Sequence, residues 1–516
     1  MIKATLYIKI ELNRLRCNLK LNGKLMKNNV QLITYIDRLT GADTQTLNNL
    51  LNEQLADVFS GVHLLPFYYP IDGSDAGFDP IDHTQVDSRL GDWNDVKELG
   101  KEYELMADLI VNHMSAESKE FKDVLNNGKN SPFWELFLTK NKVFPNGLNS
   151  AQQEKIYRPR PGSCFTHFSL PNNESADFWT TFTDNQIDID VRSNIGQAYL
   201  SRILTTFAEN NIKMIRLDAA GYALKKAGTS CFMLDETFEF IDELSSTANK
   251  LGIETLVEIH SYYQTQIEIA KRVDRVYDFA LPPLVLHSIF SQNFTALAKW
   301  LTISPRNCIT VLDTHDGIGI IDVGPMDGKQ GLLDDIEIDN LVEKIHLNSA
   351  GESKKATGDA ASNVDLYQVN CSYYDALGQN DFDYLVARTI QFFSPGIPQV
   401  YYAGLLAEKN DIALLSKTNV GRDINRPYLD SDRVEKSLAK PFTQAIIELI
   451  KFRNSCDAFD GDFKVTSELS TLKMSWKNNE HRATLNVDLV ARNALIEVTK
   501  YDDVRIISLN SLLNKA

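Results

Sequence analysis

The chain has 516 residues, 43% of them apolar, which is too apolar for disorder and too long for one small domain. Lys and Arg number 53 against 69 Asp and Glu, a net charge of −16, which argues against nucleic acid as a partner. No apolar run approaches the ~20 residues that a membrane helix needs, so no membrane partner is expected.

Residues 1–25 carry Lys3, Lys9, Arg14, Arg16, Lys20 and Lys24 against Glu11 alone. Lys9 and Glu11 interrupt the apolar run, so a secretory signal is unconvincing. We expect Met26 to be the true start and the leader an upstream translation artefact; a targeting or surface-binding arm is the alternative. The intact mass of natively expressed protein separates the two.

Beyond Met26, short runs rich in Val, Ile and Leu alternate with helical patterns. The runs are 30–34, 61–66, 105–111, 213–218, 253–258, 275–278, 308–312 and 398–402. Apolar character on both faces is the pattern of buried parallel strands. Between them, 194–210 places Ile195, Tyr199, Leu200, Ile203, Leu204 and Phe207 on one helical face, with Asn210-Asn211 as the stop. Residues 235–250 repeat the plan, with Asp235 as N-cap, Phe238, Ile241 and Leu244 as a stripe, and Gly252 as the stop. Eight such units predict an α/β fold, a (β/α)8 TIM barrel.

Two spacings, after the third and seventh strands, are too long for one βα unit and predict inserted subdomains. Past about residue 458, Leu472, Met474 and Trp476 alternate, Asn478-Asn479 turns, and Ala483, Leu485 and Val487 alternate again, which predicts antiparallel β. The expected organisation is therefore a leader over 1–25, a barrel over 26–110, 192–317 and 379–458, insertions over 111–191 and 318–378, and a C-terminal β domain over 459–516. Cys17, Cys164, Cys231, Cys308, Cys371 and Cys456 form no CxxC pair. Neither a disulfide framework nor a zinc site is expected, and a reducing, cytoplasmic setting is the simplest fit.

In a barrel the C-terminal strand ends face the active site. Asp218 and Glu258 end two of the predicted strands, and Asp316 lies just beyond a third. Each acid alone could cap a following helix. Together they suit a retaining glycosidase-type centre, in which one carboxylate attacks the anomeric carbon and another protonates the leaving oxygen. Arg216 stands two residues before Asp218, hence on the same side of the strand, where it can hold a carboxylate ionised. His113 and His315 can donate to sugar hydroxyls, and Asp75 with Phe78 offers a polar edge and an aromatic face for a pyranose.

Arg216-Leu-Asp218, Glu258, His315-Asp316 and Val111-Asn-His113 resemble the α-amylase superfamily. Longer stretches, Asp75-Ala-Gly-Phe-Asp-Pro-Ile-Asp-His83, Tyr157-Arg-Pro-Arg-Pro-Gly162, Glu258-Ile-His-Ser-Tyr-Tyr263, Val276-Tyr-Asp-Phe-Ala-Leu-Pro-Pro283 and Gly421-Arg-Asp-Ile-Asn-Arg426, resemble its sucrose phosphorylase family. The resemblance spans roughly 26–505. It implies Asp218 as nucleophile, Glu258 as general acid/base and Asp316 as transition-state stabiliser. It implies a glucosyl subsite of Asp75, Phe78, His113, Arg216, His315 and Arg422, with Gln368 on the acceptor side and Tyr157, Arg160, Asp365 and Tyr367 around fructose and phosphate.

The implied partners are sucrose, inorganic phosphate, glucose 1-phosphate and fructose, with no metal or organic cofactor and a possible homodimer. Glu258 is expected to have a raised pKa, Asp218 to be held ionised by Arg216, and Arg160 to attract phosphate; Arg158 is the weaker candidate. Pro427 departs from the family pattern, where His is common, and bears on the acceptor side. The alternatives are phosphorolysis of sucrose 6′-phosphate, glucosylglycerol or glucosylglycerate, a sucrose or α-glucan hydrolase, or a non-catalytic sugar-binding subunit.

Overall fold

Eight segments whose residues are almost all buried close into one parallel barrel, and that closure is what gathers the acids. The computed structural model describes residues 26–73, 75–159, 162–326, 328–357, 368–501 and 503–514. The leader expectation therefore lies outside the described residues. The barrel strands are β1 (Gln31–Thr34), β2 (Gly61–Leu64), β3 (Glu104–Ile110), β4 (Ile212–Asp218), β5 (Glu254–Val257), β6 (Arg275–Asp278), β7 (Cys308–Thr310) and β8 (Ile397–Tyr401). They run in order around the barrel, with β8 beside β1 and every pairing parallel. All eight sequence runs coincide with these strands, because a strand buried on both faces leaves an uninterrupted apolar signature.

The helices pack outside. Asn194–Glu209 starts on Ser193, whose hydroxyl accepts from the Gly196 amide, and buries Tyr199, Leu200, Ile203, Leu204 and Phe207. Asp235–Lys250 buries Ile241 and Leu244, while Phe238 stays half-buried under the Arg272 guanidinium. Asp235 is not its N-cap: Leu234 is, without a side-chain cap, and Asp235 sits in the first turn, where its negative charge is attracted to the positive end of the helix dipole.

The long β3–β4 connection holds two small antiparallel pairs, His113–Ser115 with Gln186–Asp188 and Phe165–Ser169 with Ser175–Trp179. Its Leu138, Phe144, Ile156, Cys164 and Trp179 form a minor core together with Cys231 of the loop after β4. The β7–β8 connection contributes Ile318–Gly319 paired with Gln368–Val369 and the helix Asp335–Asn348. Five antiparallel strands follow the barrel: β9 (Asp462–Glu468), β10 (Thr471–Asn478), β11 (His481–Asp488), β12 (Asn493–Lys500) and β13 (Asp503–Ser508).

Register places Val465, Met474, Leu485, Ile496 and Ile507 in one cross-strand row on the inner face. This sheet shares the main core with the barrel, and Trp476 Nε1 donates to the Phe393 carbonyl at 2.7 Å. Trp476→Phe leaves that buried carbonyl without its donor. We expect it to cost about 1–3 kcal/mol, read from the chemical denaturation midpoint.

Candidate active site

Inside the barrel the side chains turn polar toward the C-terminal strand ends. Asp108 of β3 is fully buried and accepts from Arg216 of β4 at 2.6 Å; its second oxygen meets His63 of β2 at 3.0 Å. Burial alone would raise the Asp108 carboxyl, but His63 and Arg216 overcome it and bring it down to about 2. Arg216 thereby sits on a buried anion that orients its planar fork.

That fork holds both acids from neighbouring strand ends. Nη1 contacts Asp218 Oδ1 at 2.8 Å, and Nη2 contacts Glu258 Oε1 at 3.1 Å. Asp316 Oδ2 lies 3.9 Å from Nη2. Asp218 ends β4, Glu258 is the first residue past β5, and Asp316 lies six residues past β7, so three separate strand ends converge on one guanidinium.

The two acids with opposite shifts differ in their cations. Burial is the largest influence on Asp218 and raises its carboxyl well above the ordinary range; Arg216 opposes this, and the charges of Glu258, Asp108 and Asp316 add to it. Burial also works against the Asp316 charge, but Arg422, His315, Arg426 and Arg216 outweigh it and hold that carboxyl far below its usual value. Arg422 Nη1 is 2.9 Å from Asp316 Oδ1, and Arg426 Nη2 is 3.6 Å from the same oxygen. The expectation that Arg216 keeps Asp218 in the ordinary ionised range meets the opposite direction: burial and the neighbouring anions outweigh the guanidinium and raise this carboxyl.

The β2–β3 loop supplies the apolar floor. Gly77 at φ 88 lets the chain turn so that the Phe78 amide donates to the Asp75 carbonyl, and a β-carbon there would press on Pro66. Phe78 is buried and stacks on His315 at 4.8 Å with planes 11° apart, while the Arg216 guanidinium lies 5.5 Å from its ring centre. His113 Nε2 donates to the Phe78 carbonyl at 3.0 Å. Burial lowers the pKa of both imidazoles, His315 to about 3, so both are neutral hydrogen-bonding groups.

Asp75, Phe78, His113, Arg216, Asp218, Glu258, His315, Asp316, Gln368, Arg422 and Tyr157 all line one pocket. Tyr157 is 40% exposed and stacks on Phe232 at 4.6 Å. Arg160, Asp365 and Tyr367 lie outside the described residues. Arg158 Nη1 donates to the Thr180 carbonyl at 3.4 Å. Among the described residues no cluster of His, Cys, Asp and Glu could hold a metal ion.

Sequence reasoning missed the second cation on Asp316, Arg426, although it lies in a quoted motif. It also missed the aromatic wall of Phe182, Tyr222 and Phe232, and His260 beside Glu258. A single aromatic residue carries no signal of its own, and Tyr222 and Phe232 come together only when their loop folds back.

The α-amylase catalytic-domain family matches residues 57–272. A sucrose phosphorylase of Agrobacterium vitis is 57% identical over 473 residues, covering 91% of this chain and 97% of the relative. A sucrose phosphorylase of Bifidobacterium adolescentis is 52% identical over 467 residues, 90% of this chain and 92% of the relative. The crystal structure of a sucrose 6F-phosphate phosphorylase from Thermoanaerobacter thermosaccharolyticum superposes with a TM-score of 0.86 at 36% identity, covering 94% of this chain and 98% of that one.

Proposed function

The chain belongs to the sucrose phosphorylases of the α-amylase family, and from that premise we propose that it catalyses the reversible phosphorolysis of sucrose to α-glucose 1-phosphate and fructose by double displacement. The observation that carries the mechanism is the single Arg216 fork between Asp218 and Glu258. Two carboxylates in one buried site resist ionising together, so the pair retains a proton. Catalysis uses it from Glu258, which protonates the glycosidic oxygen of the donor. Asp218, the acid nearer the guanidinium, attacks the anomeric carbon as an anion. The C–O bond to fructose breaks as the bond to Asp218 forms, giving a β-glucosyl enzyme.

Phosphate then attacks the same carbon, Glu258 takes its proton, and the bond to Asp218 breaks; two inversions leave the α configuration. Asp316, held as an anion by Arg422 and Arg426, stabilises the positive charge that develops on the sugar ring. Phe78, His113, Asp75 and His315 seat the glucosyl ring. Gln368 and Tyr157 belong to the acceptor side, with Arg160, Asp365 and Tyr367 as its further members.

The test is a product assay with sucrose, with and without phosphate. Phosphate-dependent glucose 1-phosphate is expected, and free glucose indifferent to phosphate would make the protein a hydrolase. The same assay with sucrose 6′-phosphate, glucosylglycerol and glucosylglycerate ranks the donors, and sucrose is expected to lead. Arg160→Ala is expected to lower phosphorolysis at least about tenfold more than hydrolysis, as loss of a charge-assisted contact to phosphate predicts. Equal losses would remove Arg160 from the phosphate site. The described cysteines Cys164, Cys231, Cys308, Cys371 and Cys456 are all unpaired thiols, which supports a reducing, cytoplasmic setting.

A further inference from the structure

His260 follows Glu258 by two residues and lines the pocket on its Gln368 side. Its surroundings are built for one ring orientation. Nδ1 faces Asp322 Oδ2 at 3.0 Å, and the ring stacks on Phe279 at 3.8 Å with planes 14° apart. Asp322 is fully buried and belongs to the β7–β8 connection. Its other oxygen takes the Ser261 amide at 3.0 Å and Gln266 Nε2 at 2.7 Å. One carboxylate therefore pins the whole loop after Glu258 and fixes Nδ1 of His260 as a donor. Gly319 leaves the room: a β-carbon there would lie 2.6 Å from Asp322 Oδ2 and 3.2 Å from His260 Nδ1.

The opposite edge of the ring meets Gln368. The Gly317 amide donates to Gln368 Oε1 at 3.1 Å, which turns the Gln368 amide nitrogen toward His260 Nε2 at 3.4 Å. With Nδ1–H committed to Asp322, Nε2 of the neutral ring accepts from Gln368. Protonation makes Nε2 a donor, and two donors then face each other. The imidazolium and the Gln368 amide both become available to an anionic acceptor.

We propose that Asp322 is a positioning residue that clamps His260 so that Nε2 alternates between accepting from Gln368 and donating to the oxygen of an incoming phosphate, which makes acceptor capture proton-linked. This rests on the phosphorolytic function proposed above. Among the described residues, the anions that raise His260 are Asp322 and Asp316 from the segment after β7 and Glu258 on its own loop, while the Phe279 ring just past β6 covers its face and Asp278, the last residue of β6, lies close enough to feel the Asp322 charge. Burial opposes the imidazolium, but these three anions, Asp322 foremost, raise the His260 pKa above its ordinary value.

The sign follows. A raised histidine is charged below its folded-state pKa and loses the charge as pH rises through it. In Asp322→Asn the main anion is gone and burial prevails, so the ring becomes neutral at lower pH. Between those two titrations, upward from about pH 6.5, the variant's KM for inorganic phosphate is expected to exceed the parent's by about tenfold, the equivalent of one charge-assisted hydrogen bond. The ratio shrinks on either side of the window, and the donor KM moves by less. A ratio that does not vary with pH would make Asp322 merely structural and overturn the proposal.

Nitrogen NMR of His260 in the substrate-free protein checks the clamp without any turnover. Protonated Nδ1 is expected in the parent and a lower titration midpoint in the variant; identical titrations would equally overturn it. Should Asp322→Asn not fold, His260→Gln carries the test, since it cannot titrate and its phosphate KM must lose the pH dependence beyond that of phosphate itself. A parent protein that makes no glucose 1-phosphate would instead refute the proposed function, while the NMR arm still reports on the clamp.

Discussion

Asp218→Asn is expected to lower kcat by about four orders of magnitude or more while the protein folds and melts at a higher temperature than its parent. The rate loss follows from removing the carboxylate proposed to form the covalent intermediate. The gain in stability follows from the sign of the shift. Burial and neighbouring anions raise the Asp218 carboxyl in the folded protein. A carboxyl raised by folding binds its proton more tightly folded than unfolded, so above the unfolded value of about 4 its ionisation works against the fold, increasingly until pH passes the folded-state pKa. A neutral amide of the same shape removes that penalty. Loss of activity with a raised melting temperature fits this account; near-normal turnover would remove Asp218 from the chemistry, and an unchanged or lower melting temperature would mean that its charge does not work against the fold. Glu258→Gln is expected to act differently, slowing donors with poor leaving groups most, because its proton is needed to expel them.

Arg216→Gln is expected to have the second largest effect, and on both properties at once. Arg216 is buried and is the common cation of Asp108, Asp218 and Glu258, with Asp316 at the edge of its reach. Removing it leaves buried negative charge uncompensated, which costs about 3–5 kcal/mol. The nucleophile also loses the group that holds it ionised and aimed, so kcat/KM should fall by about three orders of magnitude or more. Urea denaturation and steady-state kinetics on one preparation test the two together. Lowering the pH should recover part of the lost stability, since protonating the orphaned carboxylates removes their charge. A variant that keeps parent stability would show that the acids find other counter-ions.

The barrel was legible because burial on both faces writes itself into eight consecutive apolar runs, and the acids because a charged residue ending such a run is conspicuous. Helix ends were less so: Asp235 has the chemistry of a cap, but the chain enters the helix one residue earlier, and nothing local distinguishes a cap from a first-turn acid. What escaped altogether is pairing across the barrel. Arg426 reaches Asp316 from 110 positions away, and Asp322 reaches His260 from 62. Neither partner shows a local pattern, because their association comes from strand order and not from spacing along the chain. The raised Asp218 carboxyl depends on every charge around it, and Asp108, contributed by β3, is one that the strand-end logic leaves out.

The shared fork has a consequence for genetics. Because one guanidinium serves several acids, replacing any of them redistributes its contacts among those left, so the lesions cannot be independent. Pairs of substitutions at 218, 258 and 316 should be less harmful together than their separate effects multiplied. A second change at this centre would then arise against little further selection, and lineages that lose the first acid should lose the others quickly.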